Sequence, residues 1–132
     1  MSLFIDTSAL LAVLNRNDPN HHRVQELWGQ LLRAGEDLVC TNYVVLETVS
    51  LVQKCLGLEA VRALHTDLVP MLRIIWIDEA THEIAVNTLL AAGRRGLSLV
   101  DCTSFVVMRR LGLKEVLALD RDFARQGFRC RP

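Results

Sequence analysis

The chain predicts an α/β fold, a three-layer α/β/α sandwich around a central parallel sheet of four to five strands. Two observations carry this expectation. Short apolar runs alternate with helix-length amphipathic segments from one end of the 132 residues to the other. Glycines close most of the helical segments, and strands separated by helices require parallel pairing with helices on both faces.

Taken in order, Leu3–Ile5 is an apolar run too short for a helix and ends on Asp6, so it reads as a buried first strand. Ala9–Asn15 forms a short helix, broken by the turn-rich stretch from Asn15 to Asn20. Asp18 before Pro19 marks the next helix start. Val24, Leu27, Trp28, Leu31 and Leu32 fall at helical spacing from His21 to Ala34, and Gly35 ends the segment. Asp37–Cys40 is a second strand. Tyr43–Leu56 is a helix closed by Gly57, and a further helix covers Glu59 to about Val69. Arg73–Asp78 reads as a strand, Glu79–Ala92 as a helix ended by Gly93, and Val100–Leu111 as a helix ended by Gly112. Glu115–Leu119 is a strand, Asp120–Phe123 begins a helical turn, and Phe128–Cys130 supplies a last edge strand.

Composition suits one soluble domain, residues 1–132, with 51% hydrophobic residues and a mean hydropathy of +0.25. No apolar run reaches membrane-spanning length and no signal peptide is visible, so a cytoplasmic location is expected. Cys40, Cys55, Cys102 and Cys130 are widely spaced without a C-x-x-C, which favours buried free thiols over zinc ligation or disulfides. The formal net charge is zero, but it is unevenly spread: residues 1–93 carry 6 Lys+Arg and 11 Asp+Glu, and residues 94–132 carry 9 and 4. The basic third is nearly all arginine, suited to bidentate contact with phosphate or carboxylate, although a solvated surface has the same appearance.

Four carboxylates recur at one structural place. Asp6 follows the first strand, Asp120 follows the Val116–Leu119 run, Glu47 lies one turn into the helix after the second strand, and Asp101 opens a helix. In a parallel sheet these positions share the carboxyl edge, where ligands bind in open α/β folds. Singly, Asp6 suits a helix cap, Glu47 a polar stripe with Tyr43, Ser50 and Lys54, and Asp120 and Asp122 a helix N-terminus. Asp101 stands on an apolar flank, where an unpaired carboxylate is costly. Clustered carboxylates repel and their pKa values rise unless a cation neutralises them. No Lys or Arg adjoins Asp6, Glu47 or Asp101 in sequence, so a hard divalent cation with oxygen ligands is the natural partner. Such a site suits water activation and phosphate chemistry.

Four segments then carry a resemblance: Phe4-Ile-Asp-Thr-Ser-Ala-Leu10, Tyr43-Val-Val-Leu-Glu-Thr48, Leu97-Ser-Leu-Val-Asp-Cys102 and Leu119-Asp-Arg-Asp-Phe123. Their order and spacing resemble the PIN-domain nucleases, in particular the VapC-like toxins of prokaryotic toxin–antitoxin pairs, and Asn17–His22 resembles the loop before their second helix. The resemblance covers essentially the whole chain. It implies a Mg²⁺- or Mn²⁺-dependent endoribonuclease whose catalytic quartet is Asp6, Glu47, Asp101 and Asp120. It makes Asp6 and Asp101 direct metal ligands, has Glu47 ligate through water or orient the nucleophile, has Asp120 complete the site, directly or through water, and makes Asp122 a substitute or helper. Ser8 is expected to support Asp6 or a phosphate. The implied partners are an RNA substrate, a small antitoxin and a second copy in a homodimer, with no membrane. Ala118 departs from the pattern, because the family often has Thr or Ser two residues before the fourth acid. Competing readings are a PIN-fold RNA-processing or RNA- and protein-binding module without a toxin role, a receiver domain and a phosphatase. The receiver lacks a lysine after its last strands, and the phosphatase needs an acid where Ser8 stands. His21 and His22 are expected in a surface loop and helix start rather than as metal ligands, and Trp28 and Trp76 in the core or an interface.

Overall fold

A computed structural model describes residues 1–132. The strands are β1 (Ser2–Ile5), β2 (Asp37–Thr41), β3 (Arg73–Ile75), β4 (Glu115–Leu117) and β5 (Arg129–Arg131). All pair in parallel, in the order β3-β2-β1-β4-β5. β1 is therefore central, with Phe4 opposite Val39 on one side and Val116 on the other. Leu3, Phe4 and Ile5 are all buried although successive strand residues face opposite ways, so both faces of the sheet are covered. The helices are α1 (Thr7–Leu14), α2 (His21–Arg33), α3 (Asn42–Leu56), α4 (Leu58–Ala63), α5 (Glu79–Ala92), α6 (Leu99–Leu111) and α7 (Asp122–Arg125). The five-stranded α/β/α expectation holds.

Local chemistry explains most boundaries. Thr41 caps α3 by accepting from the Val44 amide at 3.1 Å, and Asp78 caps α5 through the Thr81 amide at 2.9 Å. α5 and α6 end on Gly93 and Gly112 in left-handed conformation, φ 63° and 70°, where a Cβ would be strained. The helix expected over Glu59–Val69 is interrupted: α4 ends at Ala63 and continues as a π-helical turn, Leu64–Leu68, then a 3₁₀ turn, Val69–Met71. Pro70 has no amide to donate to the Thr66 carbonyl, so an α-helical ladder cannot run on through it.

Two strands are shorter than their apolar runs suggest. β3 stops at Ile75 because its partner β2 ends at Thr41, and the Ile77 amide instead donates to the Asn42 side chain at 2.7 Å. Trp76 thus leaves the ladder and is 76% exposed, which excludes the core half of its expectation; Trp28 is buried. β4 stops at Leu117, and the Leu119 amide donates to the Ser8 hydroxyl rather than to a strand.

His21 corrects its expectation as a surface residue. It does begin α2, but it is buried, with Nδ1 2.7 Å from the Ala12 carbonyl oxygen. That bond ties α2 back to α1 and leaves His22 outside. Cys40 and Cys102 are buried free thiols and Cys130 is half-buried, whereas Cys55 is exposed at the end of α3. Beneath the carboxyl edge of the sheet, Phe105 and Phe123 meet edge to face with ring centroids 5.0 Å apart, and Phe4 and Phe128 complete the aromatic cluster. Phe105 lies one turn beyond Asp101 and Phe123 three residues beyond Asp120, so the core packs directly behind two of the candidate acids.

Candidate active site

The carboxyl ends of β1 and β4 and the start of α6 bring Asp6, Asp101 and Asp120 together. One carboxylate oxygen from each lies within 4.8 Å of the others. Asp6 meets two acids about a hundred residues further along the chain because β1 and β4 are neighbours and α6 returns the chain to that edge.

Asp6 is only 2% exposed. It caps α1: its Oδ2 accepts from the Ser8 hydroxyl at 2.7 Å and the Ser8 amide at 3.3 Å. Ser8 Oγ also accepts from the Leu119 amide at 3.0 Å, so one hydroxyl joins the Asp6 carboxylate to the segment that carries Asp120. Asp101 sits at the third position of α6 in a capping box, with its backbone donating to Ser98 Oγ at 3.0 Å and its Oδ2 accepting from the Ser98 amide at 3.3 Å. Asp120 accepts from the Asp122 amide through Oδ1 at 3.0 Å. Each acid is thus held through one oxygen by a local donor, and its second oxygen makes no hydrogen bond within the chain.

The electrostatics are those of a crowded acid site. Burial, reinforced by the charges of Asp120 and Asp101, pushes Asp6 from its ordinary 3.8 up to about 7 against the lowering effect of Ser8. Burial also raises Asp101, with Asp120 and Glu47 adding to the effect. Glu47 is therefore close enough to act on Asp101 electrostatically while standing outside the tight trio. It lines an apolar groove of about 360 Å³ with Tyr43, Leu46, His82, Leu99 and Val100. Neither Asp6, Asp101 nor Asp120 has a Lys or Arg in salt-bridge contact.

The donor set fits a hard divalent cation. Its oxygens span little more than the ~4.2 Å across an octahedral Mg²⁺ shell with ~2.1 Å bonds. The nearby thiols do not compete. Burial raises the pKa of Cys40, Cys102 and Cys130, and acids of the site add to each shift. They remain protonated and are poor ligands.

Asp122 is engaged elsewhere: its Oδ1 accepts from Arg94 at 2.9 Å and Arg125 at 3.2 Å. Three features of the site were not anticipated from the sequence. The Ser98-x-x-Asp101 capping box was legible from its spacing. The Arg94–Asp122 pair spans 28 residues and left no local signal. The hydrogen-bonded, edge-to-face pair of Tyr43 on α3 and His82 on α5 likewise joins residues 39 apart.

Fold and site together define a compact α/β domain with a carboxylate centre at its sheet edge, a class suited to phosphodiester chemistry. The PIN domain family model matches residues 3–129, and the chain belongs to that family. The "23S rRNA-specific endonuclease VapC20" of Mycobacterium tuberculosis is 32% identical over 127 residues, spanning 96% of this chain and 95% of the relative. The crystal structure of the M. tuberculosis VapC20, described as a sarcin-ricin loop cleaving toxin, is similar with a TM-score of 0.84 at 31% identity. It covers 96% of this chain and 95% of its own. FitAcB from Neisseria gonorrhoeae shares the fold, with a TM-score of 0.70, 20% identity, and 100% and 97% coverage.

Proposed function

We propose that the chain is a divalent-metal-dependent endoribonuclease and the toxin of a type II toxin–antitoxin pair, with structured ribosomal RNA as its substrate class. The observation that carries the reading is the convergence of Asp6, Asp101 and Asp120, one of them almost fully buried, with no Lys or Arg in salt-bridge contact with any of them. Likeness to VapC20 over nearly the whole of both chains supports the substrate class.

In this reading Asp6 and Asp101 hold Mg²⁺ or Mn²⁺ through their free oxygens, Asp120 completes the set, and Glu47 orients the attacking water or holds the metal through water. When bound, the cation supplies Lewis acidity toward a phosphate oxygen and lowers the pKa of water. Ser8 fixes the Asp6 carboxylate and keeps the β1 and β4 ends in register. The aromatic cluster behind the acids keeps them from relaxing apart. Substrate RNA and activity belong to the cytoplasm.

A small antitoxin covering the acidic edge with a basic side chain would satisfy the acids much as a cation does. Exposed apolar side chains on α3 (Leu46, 67%), past β3 (Trp76, 76%) and on α5 (Leu90, 73%) support a homodimer through those elements. Light scattering at working concentration is expected to return the mass of two chains, and a single-chain mass would exclude the dimer. The activity test is direct: purified protein cleaves ribosomal RNA with Mg²⁺ and not with EDTA, and Asp6→Asn and Asp101→Asn each abolish cleavage. If both variants cleave like the parent, the site is misassigned.

A further inference from the structure

We propose that Asp122 is a positioning residue that clamps Arg94 and Arg125 at the rim of the acid cluster, where the two guanidiniums receive a backbone phosphate neighbouring the one that is cut; this rests on the ribonuclease reading above. A single oxygen, Asp122 Oδ1, accepts from Arg94 at 2.9 Å and from Arg125 at 3.2 Å. The carboxylate is largely covered, at 17% side-chain exposure, while the arginines stay open at 43% and 59%. Each planar guanidinium has five N–H donors and gives one to the clamp, leaving the others for bidentate contact with an acceptor such as phosphate. Two cations on one anion leave the clamp net positive.

Its location gives that charge a purpose. The Asp122 amide holds the Asp120 carboxylate at 3.0 Å, so the same residue fixes an acid of the site with its backbone and two arginines with its side chain. Arg94 lies in the segment between α5 and α6, and its charge acts on Cys102, next to Asp101. The Arg94–Asp122 bond therefore ties the entry to α6 to the exit from β4, the two segments that deliver Asp101 and Asp120. Three carboxylates with one divalent cation still carry net negative charge and repel RNA. A pair of fixed arginines beside them offsets that repulsion, and Arg95 and Arg121, exposed and outside any salt bridge, extend the basic rim.

The test measures kcat/KM for cleavage of ribosomal RNA against salt concentration at saturating Mg²⁺, and the Mg²⁺ concentration giving half-maximal rate. For Arg94→Ala and Arg125→Ala the slope of log kcat/KM against log salt is expected to become shallower by about 0.7 each, one single-strand phosphate contact apiece. Arg94→Lys and Arg125→Lys are expected to keep the parent slope. Asp122→Asn retains both positive charges, so its slope is expected to stay while kcat falls about tenfold or more through misplacement. The Mg²⁺ requirement is expected to be the same in all variants. Parent slopes in both alanine variants would overturn the phosphate contact, and a raised Mg²⁺ requirement in Asp122→Asn would make Asp122 a metal ligand instead. If Asp122→Asn does not fold, the arginine variants decide alone. Absence of Mg²⁺-dependent cleavage by the parent overturns the ribonuclease reading and this inference with it; cleavage with unaltered slopes overturns only the inference.

Discussion

Replacing Asp6 by Asn is expected to stabilise the metal-free protein at neutral pH and above while removing its activity. The magnitude follows from the site. Burial and two neighbouring acids move the Asp6 carboxyl from 3.8 to about 7. At about 1.4 kcal/mol per pH unit, keeping it ionised in the folded state costs about 4 kcal/mol. A carboxyl whose pKa is higher in the folded than in the unfolded chain holds its proton more tightly when native. Its stabilising contribution is complete below about pH 4 and is lost as pH rises through 7. Asn is nearly isosteric, still accepts from Ser8 through its carbonyl oxygen, and never ionises. The two proteins should therefore be nearly equally stable near pH 4, and the gap in favour of Asp6→Asn should widen to at most about 4 kcal/mol by pH 8. With about 2.1 cal/mol/K of unfolding entropy per residue, that gap corresponds to roughly 14 °C in Tm. Urea denaturation in EDTA at a series of pH values measures it, and taking the difference between the proteins removes the titration of groups they share. Adding Mg²⁺ at pH 8 to one hundred times its dissociation constant should return about 2.7 kcal/mol to the parent and little to the variant. A gap that does not change with pH, or a variant less stable than the parent at pH 8 in EDTA, would refute the argument that Asp6 is a strained carboxylate awaiting a cation.

Ser8→Ala removes the acceptor of the Leu119 amide together with the strongest bond to Asp6; urea titration should show a loss of about 1–2 kcal/mol, and the Mg²⁺ requirement for cleavage should rise. Phe123→Ala opens a cavity in the aromatic cluster behind the acids and should cost about 3–5 kcal/mol in the same assay. Thr41→Ala deletes the cap of α3, the helix that carries Glu47, so a loss of about 1 kcal/mol is expected in the same assay.

The residues that sequence reading placed correctly are those whose position follows from local pattern plus one rule of topology. Leu3–Ile5 and Val116–Leu117 are short apolar runs, and parallel pairing brings whatever follows them to one edge; Asp6 and Asp120 meet for that reason alone. The helix from Glu79 to Ala92 was legible to the residue because Asp78 and Gly93 punctuate it. What escaped depends on partners distant along the chain or on where a neighbouring element ends. His21 looks like a loop histidine until the Ala12 carbonyl of the preceding helix is placed against it. Trp76 sits among Ile74, Ile75 and Ile77, and nothing in that run discloses that the ladder partner has already turned into α3. Asp122 stands two residues from Asp120 in a D-x-D pattern that reads as a pair of equivalent acids. Only the return of Arg94 and Arg125 to its oxygen separates their roles.

The cap and the metal ligand began as rival explanations for Asp6, and the geometry makes them the same explanation. Strand order β3-β2-β1-β4-β5 means the chain leaves β1 toward β2 on one side and reaches β4 on the other, opening a crevice at the carboxyl ends of β1 and β4. Asp6 lies at the start of α1 and Asp101 in the first turn of α6, where unpaired amides and the helix dipole favour negative charge. Those local donors hold carboxylates in a crevice that burial alone would leave protonated. They also occupy only one side of each group: Ser8 takes Asp6 Oδ2, the Ser98 amide takes Asp101 Oδ2, and the Asp122 amide takes Asp120 Oδ1. The remaining oxygens are fixed in direction without being neutralised. Capping therefore aims the acids and supplies only part of the charge stabilisation they need. The Asp6 carboxyl, still raised to about 7 despite its bonds to Ser8, measures the part left for a cation to supply.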